Sequence, residues 1–539
     1  MHNETAVPWW RRGVFYQVYI RSFADGNGDG TGDIAGLRSR LPYLEKLSID
    51  AIWINPWFPS PLNDGGYDVA DYRDINPAYG TLEEAKLLIA EAADRGMRVM
   101  VDLVPNHTSS QHRWFQNALT AAPGSAARER YIFKDGRGPN GDEPPTNWRS
   151  VFGGSTWTRV PDGQWYLHLF DPTQPDLNWA NPVVREDFLD ILRFWLHLGA
   201  SGFRVDVAHG LAKDPEFPDV VDESDVEVHR TERLDHPHWD RDEVHDIIRG
   251  WRRVLDEYEG SVMIAEAWVA NWDRLARYLR PDEFHQVFDF EFLESAWDAE
   301  QIKDAIDNSL VGSGAVGSIP TWVLSNHDVV RHATRYALPK DLESKPWLLD
   351  GDRAVLDPLA GHRRARASTL LALALPGSVY VYQGEELGLP EVYDLEEDVL
   401  DDPVWRQSGN TEKGRDGCRV PLPWTSDGPS HGFGAGEAWL PQPEGWGAFA
   451  ADIQDGDTHS TLELYRSALA TRFEMLTGDE DIEWLPSEPG VLAFRRGGGM
   501  TCIVNLSGAP VQLPVATILI ASDEIADGFL PRDTTAWII

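Results

Sequence analysis

The chain is expected to fold as an α/β protein: a closed parallel (β/α)8 barrel with a small inserted domain after its third strand and a C-terminal antiparallel β-sandwich. Three observations predict this. Eight short apolar stretches alternate with segments of helical period along the 539 residues, the pattern of repeated βα units. The rhythm lapses once, over residues 107–179, where Gly, Pro, Asn and Trp dominate; that is too long for a simple loop. Near the C-terminus it gives way to short strand-like runs. The domains are therefore read as 1–106 and 180–476 for the barrel, 107–179 for the insert and 477–539 for the tail.

The first strand is GVFYQVYI, residues 13–20. It runs into RSFADGNGDGTGDIAGL, where Asp25, Asn27, Asp29 and Asp33 alternate with glycines. Oxygen side chains at every second position, with Gly relieving the turns, suit a hard cation. A structural Ca2+ or Mg2+ held by Asp25, Asn27, Asp29, Thr31 and Asp33 is expected, and no organic cofactor. A helix over 33–47 and a strand over 51–56 follow. Gly65 and Gly66 then free the backbone so that Tyr67 and Asp68 can project from a binding loop. A helix over 82–95 leads to RVMVDLVPNH (98–107), an apolar run carrying Asp102 and ending in Asn106 and His107.

After the insert, a helix over 184–198 precedes GFRVDVAHG (202–210). Phe203, Val205 and Val207 alternate there with Arg204 and Asp206. Side chains two apart on a strand share a face, so a guanidinium fork lies beside a carboxylate. An acidic, loop-rich stretch within 214–246 and a helix over 243–258 lead to SVMIAEAW (261–268). HQVFDF (285–290), TWVLSNHD (321–328) and SVYVYQGEEL (378–387) complete the eight strands, with a helix over 363–375 before the last. A helix over 462–475 ends the barrel, and VLAFRRG, TCIVNLS and TTAWII form the tail.

Composition narrows the function. The formal net charge is −39, which argues against nucleic acid or an anionic membrane surface as partner. No run of about eighteen apolar residues could span a bilayer, and the N-terminus lacks the apolar core of a signal peptide. Only Cys418 and Cys502 are present, read as ordinary thiols in a reducing cytoplasm. The 23 Trp residues weakly suggest stacking on sugars.

In such barrels reactive groups stand at the C-terminal strand ends. Those ends carry Asp102 and His107, Arg204 and Asp206, Glu266, and His327 and Asp328. Carboxylates on neighbouring strands lie close enough for the roughly 5 Å separation of a retaining glycosidase. Asp206, kept ionised by Arg204, is the expected nucleophile. Glu266, in the apolar run VMIAEA, is expected to have a raised pKa suited to general acid and then base. Asp328 is a third acid placed to stabilise an oxocarbenium-like transition state.

VDLVPNH, GFRVDVAHG, IAEAW and LSNHD, in this order and on these strands, resemble the conserved segments of the α-amylase family, glycoside hydrolase family 13, a family of TIM barrels. The resemblance implies Asp206 as nucleophile, Glu266 as acid/base and Asp328 as transition-state stabiliser. It implies His107, Arg204 and His327 around the −1 subsite and Tyr67 as a stacking platform. QPDLN (174–178) and GYDVADY are similar to the α-glucosidase and oligo-1,6-glucosidase branch, and the DGNGDGTGD loop resembles its metal site. That branch implies an exo-acting enzyme on small α-glucoside oligosaccharides, with Asp68 holding the terminal 4-hydroxyl and Arg415, from GRDGCRVPLPW, as its partner. Val207 is similar to enzymes favouring α-1,6 linkages and His209 to those using an α-1,4 acceptor, so both linkages stay open. A transglucosylase, a sucrose- or trehalose-acting member and a non-catalytic relative are the rival readings, and the acidic stretch within 214–246 is expected to reshape the aglycone side.

Overall fold

The computed structural model describes residues 7–220, 235–476 and 481–539. Residues 221–234, the centre of the acidic stretch assigned to the aglycone side, lie outside the described residues, as do 1–6 and 477–480.

All eight expected strands form, each shorter than its apolar run. They are β1 (Val14–Val18), β2 (Ala51–Ile54), β3 (Arg98–Leu103), β4 (Gly202–Val205), β5 (Val262–Ala265), β6 (Gln286–Val287), β7 (Thr321–Val323) and β8 (Ser378–Tyr382). They make one parallel sheet in the order β7-β8-β1-β2-β3-β4-β5-β6. The sheet ends approach each other where the Asp289 N–H donates to the Thr321 carbonyl at 3.2 Å. Both faces of every strand are covered, which is why the runs read as apolar rather than alternating. Phe15, Trp53, Met100, Val262, Ile264 and Tyr380 form one cluster, filling the barrel interior. Tyr16, Ile52, Val99, Val101, Phe203 and Met263 belong to the larger core shared with the surrounding helices.

Helices return the chain between strands, and their ends follow the sequence. Leu82–Ala93 starts at a capping box in which Thr81 and Glu84 satisfy each other's backbone N–H,. Pro182–His197 starts at Asn181, with Pro182 at its first position,. The single helix expected over 33–47 is instead two, Ile34–Ser39 and Leu41–Lys46. Pro42 lacks the N–H to continue the first helix and is tolerated only in the opening turn of the second.

The insert is more regular than its composition suggests. It holds a helix, Arg113–Thr120, and an antiparallel sheet with Gln164–Leu167 between Phe133–Asp135 and Trp157–Arg159. The antiparallel bridge His107↔Asp176 fastens its return limb to the segment leaving β3, and Tyr131↔Leu177 ties that limb within the insert. The tail folds as an antiparallel five-stranded sheet plus a two-stranded ribbon, Val511–Gln512 with Phe529–Leu530. Among the described residues no helix is long and apolar enough to cross a membrane.

The turn after β8 buries an acid. Glu385 accepts from the Tyr382 N–H at 3.1 Å and the Tyr465 hydroxyl at 3.2 Å, and burial pushes its pKa up to about 8. The folded state therefore holds a proton that the unfolded state releases near the ordinary value of 4.5. Stability from this group is full below that value and is lost as pH rises to about 8. Glu385→Gln is expected to flatten the fall in Tm between pH 5 and 9, by several degrees at the alkaline end. A variant whose Tm follows the parent at every pH contradicts this.

Candidate active site

Strands β3, β4 and β5 bring one arginine and three acids together. Asp102 is the registered neighbour of Arg204 across β3 and β4. Arg204 is 2% exposed. Its Nη1 donates to Asp102 Oδ1 at 3.1 Å and to Asp206 Oδ1 at 2.5 Å, and its Nη2 to Glu266 Oε2 at 2.8 Å. Asp206 and Glu266 are thus joined by a single guanidinium and face the same rim. Asp102 sits behind them, accepting also from Trp53 Nε1 at 3.0 Å and the Tyr67 hydroxyl at 2.9 Å.

After Asp206 the chain turns through Val207, whose φ of 45° is unusual for a β-branched residue,. The turn aims the Val207 N–H at Glu266 Oε2, 3.1 Å away. Strain at such a position is kept only where the surroundings enforce it. Here it adds a second donor to the oxygen that Arg204 already holds.

These contacts reverse the expected protonation of the pair. Burial pushes the Asp206 carboxyl well above the usual carboxylate range, against the pull of Arg204. Burial also opposes ionisation of Glu266, but Arg204 and the Val207 N–H outweigh it and hold that carboxyl below its ordinary value. The two share one guanidinium and titrate as a coupled pair,. The apolar run around Glu266 misled because Met263 and Ala265 belong to the outer core, while Glu266 shares the inner face with Ile264 and meets Arg204.

The third acid lies on the far side of the same rim. Asp328 Oδ1 accepts from Arg415 Nη1 and Arg419 Nη2, both at 3.0 Å, and Oδ2 lies 3.2 Å from His327 Nε2. Burial opposes its ionisation, yet the guanidinium groups of Arg415 and Arg419 outweigh it and hold the carboxyl far below the ordinary range. His327 is buried and neutral, its pKa pushed well down by burial. It stacks flat on Tyr67, ring centroids 5.1 Å apart, and its Nδ1 lies 2.7 Å from Gln17 Nε2. Side-chain exposure rises from 9% at Asp206 to 15% at Glu266 and 28% at Asp328, so the site opens over Asp328.

The expected Asp68–Arg415 pair does not form. Asp68 is fully buried, accepting from Ser60 Oγ at 2.6 Å and the Asn63 N–H at 3.0 Å, and burial raises its pKa to about 7. Its contacts hold the 60–64 turn together. Asp64 is the residue that turn presents: Arg415 Nη2 donates to Asp64 Oδ1 at 2.7 Å. Gly65 and Gly66, both at positive φ, reverse the chain so that Asp64 and Tyr67 reach the site while Asp68 points inward. Gln174, from QPDLN, spans to Asp64 Oδ2 at 2.9 Å and to His107 Nε2 at 3.1 Å. His107 is buried 3.0 Å from the Tyr67 carbonyl, its pKa lowered by burial. Asp402 grips Arg415 from behind through the Arg415 backbone N–H at 2.7 Å and its Nε at 2.6 Å.

Asp64, Asp402, Arg419 and Trp268 escaped the sequence reading. A cue for Asp64 was available in its place before the glycine pair; Asp402 and Arg419 lie in a loop whose path no local pattern reveals.

The acidic loop fits a cation only in part. Asp33 caps the helix at Gly36 while its oxygens also take the Gly26 and Asn27 N–H groups of the loop itself. Asp25, Asn27 and Asp29 share one turn, with Asn27 Nδ2 on Asp29 Oδ2 at 3.1 Å and the Thr31 N–H on Asp29 Oδ1 at 2.9 Å. Among the described residues no three His, Cys, Asp or Glu side chains form a metal-binding group.

Comparison with known proteins agrees with this geometry. The chain is 38% identical over 538 residues to a probable alpha-glucosidase of Rhizobium meliloti (strain 1021), covering 95% of this chain and 92% of that one. It is 33% identical over 543 residues to the oligo-1,6-glucosidase of Parageobacillus thermoglucosidasius, covering 94% and 91%. The crystal structure of the alpha-glucosyl transfer enzyme XgtA superposes with a TM-score of 0.84 at 34% identity, covering 99% of this chain and all of that one. The family model of the alpha-amylase catalytic domain matches residues 17–478. With that match spanning the barrel and its insert, the chain belongs to the α-amylase family, glycoside hydrolase family 13, and is a glycoside hydrolase.

Proposed function

We propose that the protein is an exo-acting, retaining α-glucosidase that removes α-linked glucose from the non-reducing end of short oligosaccharides. The observation that carries this is Asp206 and Glu266 on one guanidinium at a single rim, with Asp328 opposite. A glucosyl ring seated between them separates the pair, leaving Asp206 the anion beside Arg204 and Glu266 the proton. Glu266 donates that proton to the glycosidic oxygen as the C1–O bond breaks, while an Asp206 oxygen bonds to C1. Water, deprotonated by Glu266, then attacks C1, releases Asp206 and restores the proton. Asp328 lends negative charge to the oxocarbenium-like transition state.

Arg415 supports the exo reading. It bridges Asp64 on one side of the pocket and Asp328 on the other, closing the end where a longer chain would continue. Asp64, rather than Asp68, is the acid we assign to the terminal hydroxyls. The cations around the mouth, Arg204, Arg415, Arg419 and Lys213, are each matched to a carboxylate, Lys213 to Asp176 at 2.6 Å, which favours a neutral aglycone. A transfer reaction to a second sugar uses the same steps, with the similarity to XgtA in its favour; products formed at high sugar concentration separate the two. The buried free thiols of Cys418 and Cys502 suit the cytoplasm. A structural hard cation on Asp25, Asn27 and Asp29 is part of the same reading and would brace the first βα turn.

Asp206→Asn is expected to lower kcat on 4-nitrophenyl α-glucoside by on the order of a thousandfold or more without changing Tm; substantial turnover removes Asp206 from its role. Asp64→Asn should cut kcat/KM about tenfold to a hundredfold, the scale of a lost charge-assisted hydrogen bond; an unchanged value contradicts the assignment of the terminal-sugar acid. Chelation should lower Tm by a few degrees, reversed by added Ca2+; metal analysis showing a bound ion whose removal leaves Tm unmoved contradicts a bracing role.

A further inference from the structure

Glu266 binds its neighbours unequally. Oε2 is committed inward, to Arg204 Nη2 and the Val207 N–H. Oε1 faces Trp268, whose indole Nε1 donates to it at 3.1 Å. Trp268 stands two residues beyond Glu266 and is half-buried at the rim. Its ring lies flat on Phe290, centroids 3.7 Å apart and planes 2° from parallel. The indole is therefore held in place by a stacked partner rather than by the acid it contacts.

We infer that Trp268 is a positioning residue that selects which oxygen of Glu266 handles the proton and in which direction. This rests on Glu266 being the acid/base. With Oε2 occupied by two donors, the exchangeable proton belongs on Oε1. An indole nitrogen donates and cannot accept, so the Oε1 proton cannot point at Trp268. It points along the remaining lone-pair direction, towards the site. When the proton leaves, the indole hydrogen bond stabilises the carboxylate produced, and it does so without rearrangement because Phe290 holds the ring.

The role predicts a dependence on the leaving group that a merely structural residue would not show. Aglycones that depart without help need little acid catalysis, whereas poor ones need the full proton transfer. Trp268→Phe keeps the ring and its stack on Phe290 but removes the N–H. Its kcat/KM should fall about tenfold for 4-methoxyphenyl α-glucoside and less than about threefold for 2,4-dinitrophenyl α-glucoside. The alkaline limb of its pH profile should move up by about half a unit or more, because the anion has lost a donor. Trp268→His, which retains a ring N–H, should lie closer to the parent in the ratio of the two substrates.

Equal losses on both substrates with an unmoved alkaline limb, or a His variant more impaired in that ratio than the Phe variant, would overturn the inference. Glu266→Gln is the control for the reading beneath it. If that variant discriminates steeply between the two substrates and Trp268→Phe does not, Trp268 is no positioning residue. If Glu266→Gln itself fails to discriminate, the acid/base assignment is what falls.

Discussion

One buried cation faces three acids. Arg204 cannot neutralise Asp102, Asp206 and Glu266 together, and all four groups lie where charge is costly. Burial lifts Asp102 to about 6 and pushes Asp206 well above the usual carboxylate range, while Arg204 and the Val207 N–H hold Glu266 below its ordinary value. Two acids of unequal proton affinity are what double displacement requires, since each half-reaction moves one proton to or from Glu266 while Asp206 changes between carboxylate and ester. The guanidinium therefore does two things with one set of contacts. It sets the spacing of the reacting carboxylates, and it favours the charged form of each.

A second cation organises the opposite wall by different means. Arg415 comes from a long loop after β8, and Asp402 in the same loop fixes both its backbone and its Nε. The remaining nitrogens are left to reach Asp64 from the β2 side and Asp328 from the β7 side. Elements hundreds of residues apart in sequence are tied across the pocket at the level of the terminal sugar. The barrel supplies the chemistry, and loops that are free to vary on it supply the shape of the substrate.

The barrel and its acids were legible because their signals are local. Strand runs, helix caps and the residue standing at each strand end can be read within a short window, and Asp206, Glu266 and Asp328 all occupy such ends. Errors arose where the outcome depends on direction or on distant partners. Asp68 and Asp64 are both acids beside the same glycine pair, and only the fold of the turn decides that Asp64 faces Arg415. Met263 and Ala265 lie on the opposite face from Glu266, and Arg204 on the neighbouring strand outweighs the burial that its own face provides. Asp33 caps the helix that follows the loop, a contact that the alternation of acids and glycines does not announce,. The centre of the acidic stretch within 214–246, residues 221–234, lies outside the described residues.

The account stands on Asp206 forming a covalent bond to glucose at the rim it shares with Glu266. Incubation with 5-fluoro-α-glucosyl fluoride, which slows both steps and lets the intermediate accumulate, followed by peptide mapping by mass spectrometry, tests this directly. A fluoroglucosyl ester on Asp206, formed as activity is lost and released as it returns, is the predicted result. A label on any other carboxylate, or turnover with inversion of the anomeric centre and no ester, would contradict it.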